Sequence, residues 1–156
     1  MVRPALGPGP HGLAYTRKLL AEILGGTPKT TTNGYHQSAM AVRIFTWVQG
    51  HIRYVKDPVG KELFQQLPAV IEGGVGDCDD FTAILAALFS AAGIKVRARL
   101  IKTKRGGPWA HIYLVAWLDG KWRAFDGALP QVLDHRVGKA GFEYPNPAQR
   151  MDLEVA

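Results

Sequence analysis

The spacing of apolar residues changes period part-way along the 156-residue chain, and the change separates helices from strands. Leu13, Leu20, Ile23 and Leu24 suit one helical face between Gly12 and Leu24, and Gly25-Gly26 ends that helix. After a polar loop over 27–34, Met40, Ala41, Ile44, Phe45, Val48 and Ile52 form one stripe. That stripe predicts a second helix after Ser38, ending near Tyr54 and ahead of the Asp57-Pro58 turn. Residues 61–76 read as a short helical or irregular linker closing on Gly73, Gly74 and Gly76. The apolar run Phe81 to Ala92 has acidic residues in front and Gly93 behind, the polarity of a helix.

After Gly93 the period becomes two. Ile94, Val96, Ala98 and Leu100 alternate with Lys95, Arg97 and Arg99, which predicts a half-buried strand. A second strand is predicted over 110–118 and a third over 121–126, with Asp119-Gly120 as a two-residue hairpin turn. Beyond Gly127 the chain is polar and Pro-rich, and it reads as a wrapping tail. Helices followed by an antiparallel meander predict an α+β fold with the helices on one side of the sheet. The expected organisation is a flexible Pro/Gly-rich arm over 1–12 and one domain over 13–156. Its core spans about 38–128 and its C-terminal tail 129–156.

Composition narrows the function classes. Hydrophobic residues make up 47% and charged residues 21%, as in a soluble globular domain. One cysteine excludes an internal disulfide and any zinc site needing two or more Cys. No apolar run reaches the roughly 18 residues of a membrane span, so no membrane insertion is expected. Residues 1–10 hold three prolines and no apolar core, so no secretory signal is expected there. The net charge of +6 gives some affinity for anionic surfaces.

The single cysteine, Cys78, sits at a predicted helix start, where N–H groups and the helix dipole stabilise thiolate. The aspartates beside it oppose that effect, so a cationic partner is needed. The hairpin supplies one. If Asp119-Gly120 forms a two-residue turn, Leu118 pairs with Lys121 and Trp117 with Trp122. Tyr113 then falls opposite Asp126 and His111 opposite Ala128, which makes His111 and Asp126 diagonal neighbours on one face. That face is otherwise apolar, so each is the other's natural partner. It is expected to pack on the helix over 81–92, bringing Cys78 to His111. These are the parts of an activated nucleophile; the competing reading is a self-satisfied His–Asp pair and an unrelated Cys.

The segment Gly76-Asp-Cys-Asp-Asp-Phe81 with its helix, then Gly93-Ile-Lys-Val-Arg97, resembles the nucleophile helix of the transglutaminase-like superfamily. His111 with its alternating strand, followed by Asp119-Gly-Lys-Trp122-Arg-Ala-Phe-Asp126, resembles that family's His and Asp strands. The resemblance covers about residues 40–128. It implies a papain-like fold with Cys78 as nucleophile, His111 as base and Asp126 as orienter. The run from His51 to Pro58, with Pro68 ahead of the cysteine motif, resembles small prokaryotic and phage-encoded members.

Other residues enter as candidates. The Cys78 N–H is one oxyanion donor by position, and Trp47, Gln37, Gln49, Gln65 and Gln66 are candidates for the second. Trp109 is either a wall of the substrate groove or an ordinary loop aromatic. Asp77, Asp79 and Asp80 read as N-terminal helix charges rather than a cation site, since an alternating Ca²⁺ loop with a distal Glu is absent. Arg97, Arg99, Lys102, Lys104 and Arg105 read as a solvated basic strand and loop without a nucleic-acid motif, so no nucleic-acid partner is expected. His11, His36, His51 and His135 lack ligand spacing, so no metal is expected.

The reading is a thiol acyl-transfer enzyme that needs no cofactor and takes a protein or peptide amide as substrate. A peptidase or amidase is preferred over a transglutaminase, because the small chain leaves little room for a second substrate site. The rival is a non-catalytic binding module or phage virion-associated structural part that keeps the fold. The expected location is cytoplasmic or virion-associated.

Overall fold

The computed structural model describes residues 10–26, 34–55, 67–102, 104–127 and 149–154. Among the described residues four helices precede the main sheet: α1 (Pro10–Leu24), α2 (Gly34–His51), α3 (Leu67–Gly73) and α4 (Cys78–Ala91). Two short strands, β1 (Arg53–Tyr54) and β2 (Val75–Gly76), form a parallel pair. A four-stranded antiparallel sheet follows, from β3 (Val96–Lys102), β4 (His111–Leu118), β5 (Lys121–Phe125) and β6 (Gln149–Glu154), in the order β5-β4-β3-β6. The fold is α+β, as the change of period predicts. Among the described residues no helix is long and apolar enough to cross a membrane.

α4 forms the centre because it is apolar nearly all round. Phe81, Ile84, Leu85, Leu88 and Phe89 are each at most 2% exposed. They pack on Leu114, Ala116, Leu118 and Phe125 of the sheet, while Leu20, Ile44, Phe45, Val48 and Val70 close over them from α1, α2 and α3. Phe125 anchors the contact, with its ring centroid 5.5 Å from Phe45 and 5.0 Å from Phe89.

The hairpin has the expected register: Trp117 pairs with Trp122 and Leu118 with Lys121. Asp119 and Gly120 have φ of 53° and 75°, the left-handed pair of a type I′ turn. Ser38 Oγ, on α2, donates to Asp119 Oδ2 at 3.0 Å.

Four expectations are corrected. α4 packs on the face of β4 that carries Leu114, Ala116 and Leu118, not on the face of Tyr113 and Val115. Alternation could not choose, because β4 is apolar on both faces: Tyr113 and Val115 sit in a second buried cluster with Ile101 and Ala124. The tail contributes β6, which pairs with β3 from Arg97↔Glu154 to Lys102↔Gln149. Its sequence, Gln-Arg-Met-Asp-Leu-Glu, is too polar to read as a strand, and its pairing relies on ladder bonds and ion pairs. Arg99 is correspondingly not solvated. It is 6% exposed and binds Asp152 through two bonds of 2.7 and 2.9 Å. Lastly, α1 and α2 begin earlier than the apolar stripes suggest, at Pro10 and Gly34, since a stripe marks only the buried turns. Residues 1–9 of the expected arm and 129–148 and 155–156 of the expected tail lie outside the described residues.

Candidate active site

Cys78 is the first residue of α4, and the local sequence fixes it there. Asp77 caps the helix with an extended backbone, and its Oδ1 accepts the Asp80 N–H at 3.1 Å. Asp80 Oδ2 accepts the Asp77 N–H at 3.0 Å, which completes a reciprocal capping box. Asp77 and Asp80 thus serve the helix terminus, as the N-terminal charge reading expects. Gly76 is required by this arrangement, because a Cβ there would lie 2.9 Å from Asp80 Cβ and 3.2 Å from Val70 Cγ1. The chain entering the turn is held by β1, through Arg53 N–H to Gly74 O and Val55 N–H to Gly76 O, both 2.8 Å.

His111 and Asp126 meet at the end of the sheet. His111 opens β4, and Asp126 follows β5 directly. The ring Nε2 and Asp126 Oδ2 are 2.6 Å apart, and the side chains are 15% and 2% exposed. The Cys78 side chain lies within hydrogen-bonding reach of the same ring. The strand terminus explains how the site forms although α4 lies on the opposite face from Tyr113: Thr82 Oγ1 on α4 donates to Cys78 O at 2.7 Å and lies 3.4 Å from Ile112 O. That hydroxyl ties the turn of Cys78 to the residue after His111.

Burial would lower the His111 pKa. The hydrogen bonds to Asp126 and Cys78, with the charges on both, outweigh it and raise the pKa from 6.5 to about 9. The ring is therefore poised to carry a proton at neutral pH beside the Cys78 side chain. Gly127 fixes the carboxylate's position, because a Cβ there would lie 2.6 Å from Phe81 Cγ. The backbone after Asp126 thus rests directly on the α4 aromatic. Gln49 Nε2 on α2 donates to Gly127 O at 3.2 Å and holds the same peptide from the other side.

The family model of the transglutaminase-like superfamily matches residues 25–127, which is more than half of the chain. The chain belongs to the transglutaminase-like superfamily. Solved structures agree at the level of fold. A protein from Cytophaga hutchinsonii described as a cysteine protease has 19% identity and a TM-score of 0.57, with 94% of this chain and 53% of that one covered. A protein from Parabacteroides distasonis described as a protease has 12% identity and a TM-score of 0.58, over 72% of this chain and 23% of that one. A structure described as a TGase has 18% identity and a TM-score of 0.52, over 92% and 36%. The chain thus spans about a quarter to about half of the length of these structures. No curated protein matches it significantly.

Within this transglutaminase-like domain the remaining candidates separate. Gln37 Nε2 donates to Gly93 O at 3.4 Å, beyond the C-terminal end of α4. A 14-residue helix is about 21 Å long, so this contact keeps Gln37 away from Cys78. Trp47 packs on the core from α2 and stacks on His51 at 4.0 Å, which also places it in a packing role. Gln49 is placed beside the candidate triad but spends its amide on Gly127. Gln65 and Gln66 lie outside the described residues. Trp109 lies two residues before His111, half-buried, with Lys102 Nζ 4.8 Å from its ring centroid. The sequence reading missed Thr82 and Gly127. The signals were available: Thr82 is one helical turn after Cys78, and Gly127 follows a carboxylate at a strand end.

Proposed function

We propose that this domain is a cysteine peptidase or amidase that cleaves an amide bond in a protein or peptide. The observation that carries the proposal is the His111 ring, held by Asp126 on Nε2 and within reach of Cys78. Cys78 thiolate attacks the amide carbonyl, and the Cys78 N–H at the helix start stabilises the oxyanion. His111 imidazolium gives its proton to the leaving nitrogen, and the C–N bond breaks to leave a thioester. Neutral His111 then takes a proton from water, whose oxygen attacks the thioester carbonyl, and the thiolate leaves. Asp126 holds the ring tautomer and orientation throughout and accepts no proton. The relatives described as proteases support the same reading.

The test is incubation of the wild-type chain and of Cys78→Ala with a complex peptide library, with mass spectrometry of the products. New termini produced by wild type alone are expected. An amine acceptor in the same reaction distinguishes hydrolysis from transamidation, because it enters the product only in a transglutaminase. Identical product sets from the two proteins would favour a non-catalytic binding module or virion-associated part.

A further inference from the structure

The basic connection between β3 and β4 is left unused by the chemistry above. It runs Lys102-Thr-Lys104-Arg105-Gly-Gly-Pro-Trp109-Ala110 and contains no carboxylate. Its position is fixed by the ladder. His111 pairs with Ile101, and Ala110 N–H bonds Ile101 O at 2.9 Å. Lys102, the last residue of β3 and paired with Gln149, lies one rung beyond His111, and Trp109 lies two residues before His111 at the same end of the sheet. Their side chains meet there, with the Lys102 ammonium 4.8 Å from the Trp109 ring centroid. A cation held over an indole is a placed charge rather than a solvated one. Lys104 and Arg105 are exposed in the same connection, and Arg150 of β6 pairs with Ile101 from the other side. Three carboxylates near this end already serve other groups: Asp77 and Asp80 in the capping box, and Asp126 on His111. Among the described residues, Asp79 at the start of α4 adds an acidic charge that opposes the positive field.

The chemistry says which part of a substrate meets this charge. His111 must protonate the leaving nitrogen, so the residues released with the amine lie on the His111 side of the scissile bond. Trp109 and Lys102 continue from His111 on that side.

We propose that Lys102 and Trp109 form an anion-selecting subsite that favours a carboxylate on the leaving-group residue, from an acidic side chain or a free C-terminus. Trp109 is the shelf and Lys102 the charge. This inference rests on the Cys78–His111 reading above, and its test separates the two.

Alkylation of Cys78 is followed at low ionic strength with iodoacetate, which is anionic, and with iodoacetamide, which is neutral. The quantity read is the ratio of the two rates, relative to that of free cysteine. At low salt the field of a nearby ammonium should raise this ratio in wild type by roughly two- to tenfold. Lys102→Met should lose most of that gain and Lys102→Arg should keep it. Lys95→Met, which removes a cation near Trp122 rather than Trp109, should keep it as well. Protection of Cys78 by Ala-Glu-Ala amide, by Ala-Ala-Ala with a free C-terminus and by Ala-Ala-Ala amide then distinguishes a side-chain carboxylate from a terminal one. Fast alkylation with the same ratio in wild type and Lys102→Met overturns the subsite and leaves the nucleophile standing. Equal protection by all three peptides also overturns it. A thiol inert to both reagents overturns the nucleophile and the subsite together.

Discussion

Replacing Asp126 by Asn isolates the interaction that sets the charge of His111. The bond from Nε2 to Oδ2 is 2.6 Å long, and Asp126 is 1% exposed, so water screens it little. Asn keeps the volume and one acceptor but removes the charge. In wild type the ring is raised to about 9. Relative to 6.5, that corresponds to about 3 kcal/mol of preference for the charged ring, at about 1.4 kcal/mol per tenfold. Cys78 supplies part of this, and the side chain is 15% exposed, so about 2 kcal/mol is a fair share for Asp126. NMR titration of the His111 ring should therefore show its midpoint falling from about 9 to about 7.5 in Asp126→Asn. The same linkage appears in stability. A folded value above the unfolded one stabilises fully below pH 6.5, and the benefit is lost as pH rises through about 9. Urea unfolding of wild type should then weaken by roughly 3 kcal/mol between pH 6 and pH 9.5, and that of Asp126→Asn by only roughly 1 kcal/mol. A wild-type midpoint near 6.5, or one that does not move in the variant, would refute the reasoning.

Three further outcomes follow from named contacts. Gly127→Ala forces a methyl against the Phe81 ring, so urea unfolding should show a loss of about 1–3 kcal/mol, and the displaced Asp126 should slow Cys78 alkylation. Asp152→Asn leaves Arg99 with a weakened partner and should cost about 2 kcal/mol at pH 7 by the same assay. Arg99 holds the Asp152 carboxyl below its ordinary 3.8, so this contribution is present above that pH and lost as pH falls beneath it, where the two unfolding curves should converge. Asp77→Ala removes half of the capping box and should lower stability by about 1 kcal/mol, with Asp77→Ser restoring most of it in thermal melts.

Much of the site was legible because it depends on local rules. A two-residue Asp-Gly turn fixes the hairpin register, and the register alone makes His111 and Asp126 diagonal neighbours. The start of α4 was equally readable, since acidic residues and a glycine frame it. The choice of face was not legible. Ile112, Leu114, Ala116 and Leu118 are as apolar as Tyr113, Val115 and Trp117, so only tertiary packing decides which row meets α4. β6 escaped because its six residues bind through backbone and charge, leaving no apolar period to detect. Gln37 illustrates a third limit: an amide side chain has the right chemistry for an oxyanion donor anywhere in a sequence. Only the fold shows that its partner is Gly93, beyond the far end of the helix.

The central claim is that His111 activates Cys78, and the rate of Cys78 alkylation by iodoacetamide as a function of pH tests it most directly. With an imidazolium persisting to about pH 9 beside the thiol, wild type should react well below pH 8, faster than free cysteine does there. His111→Ala should lose that low-pH limb and react only as an ordinary thiol. Superimposable profiles for wild type and His111→Ala would contradict the account.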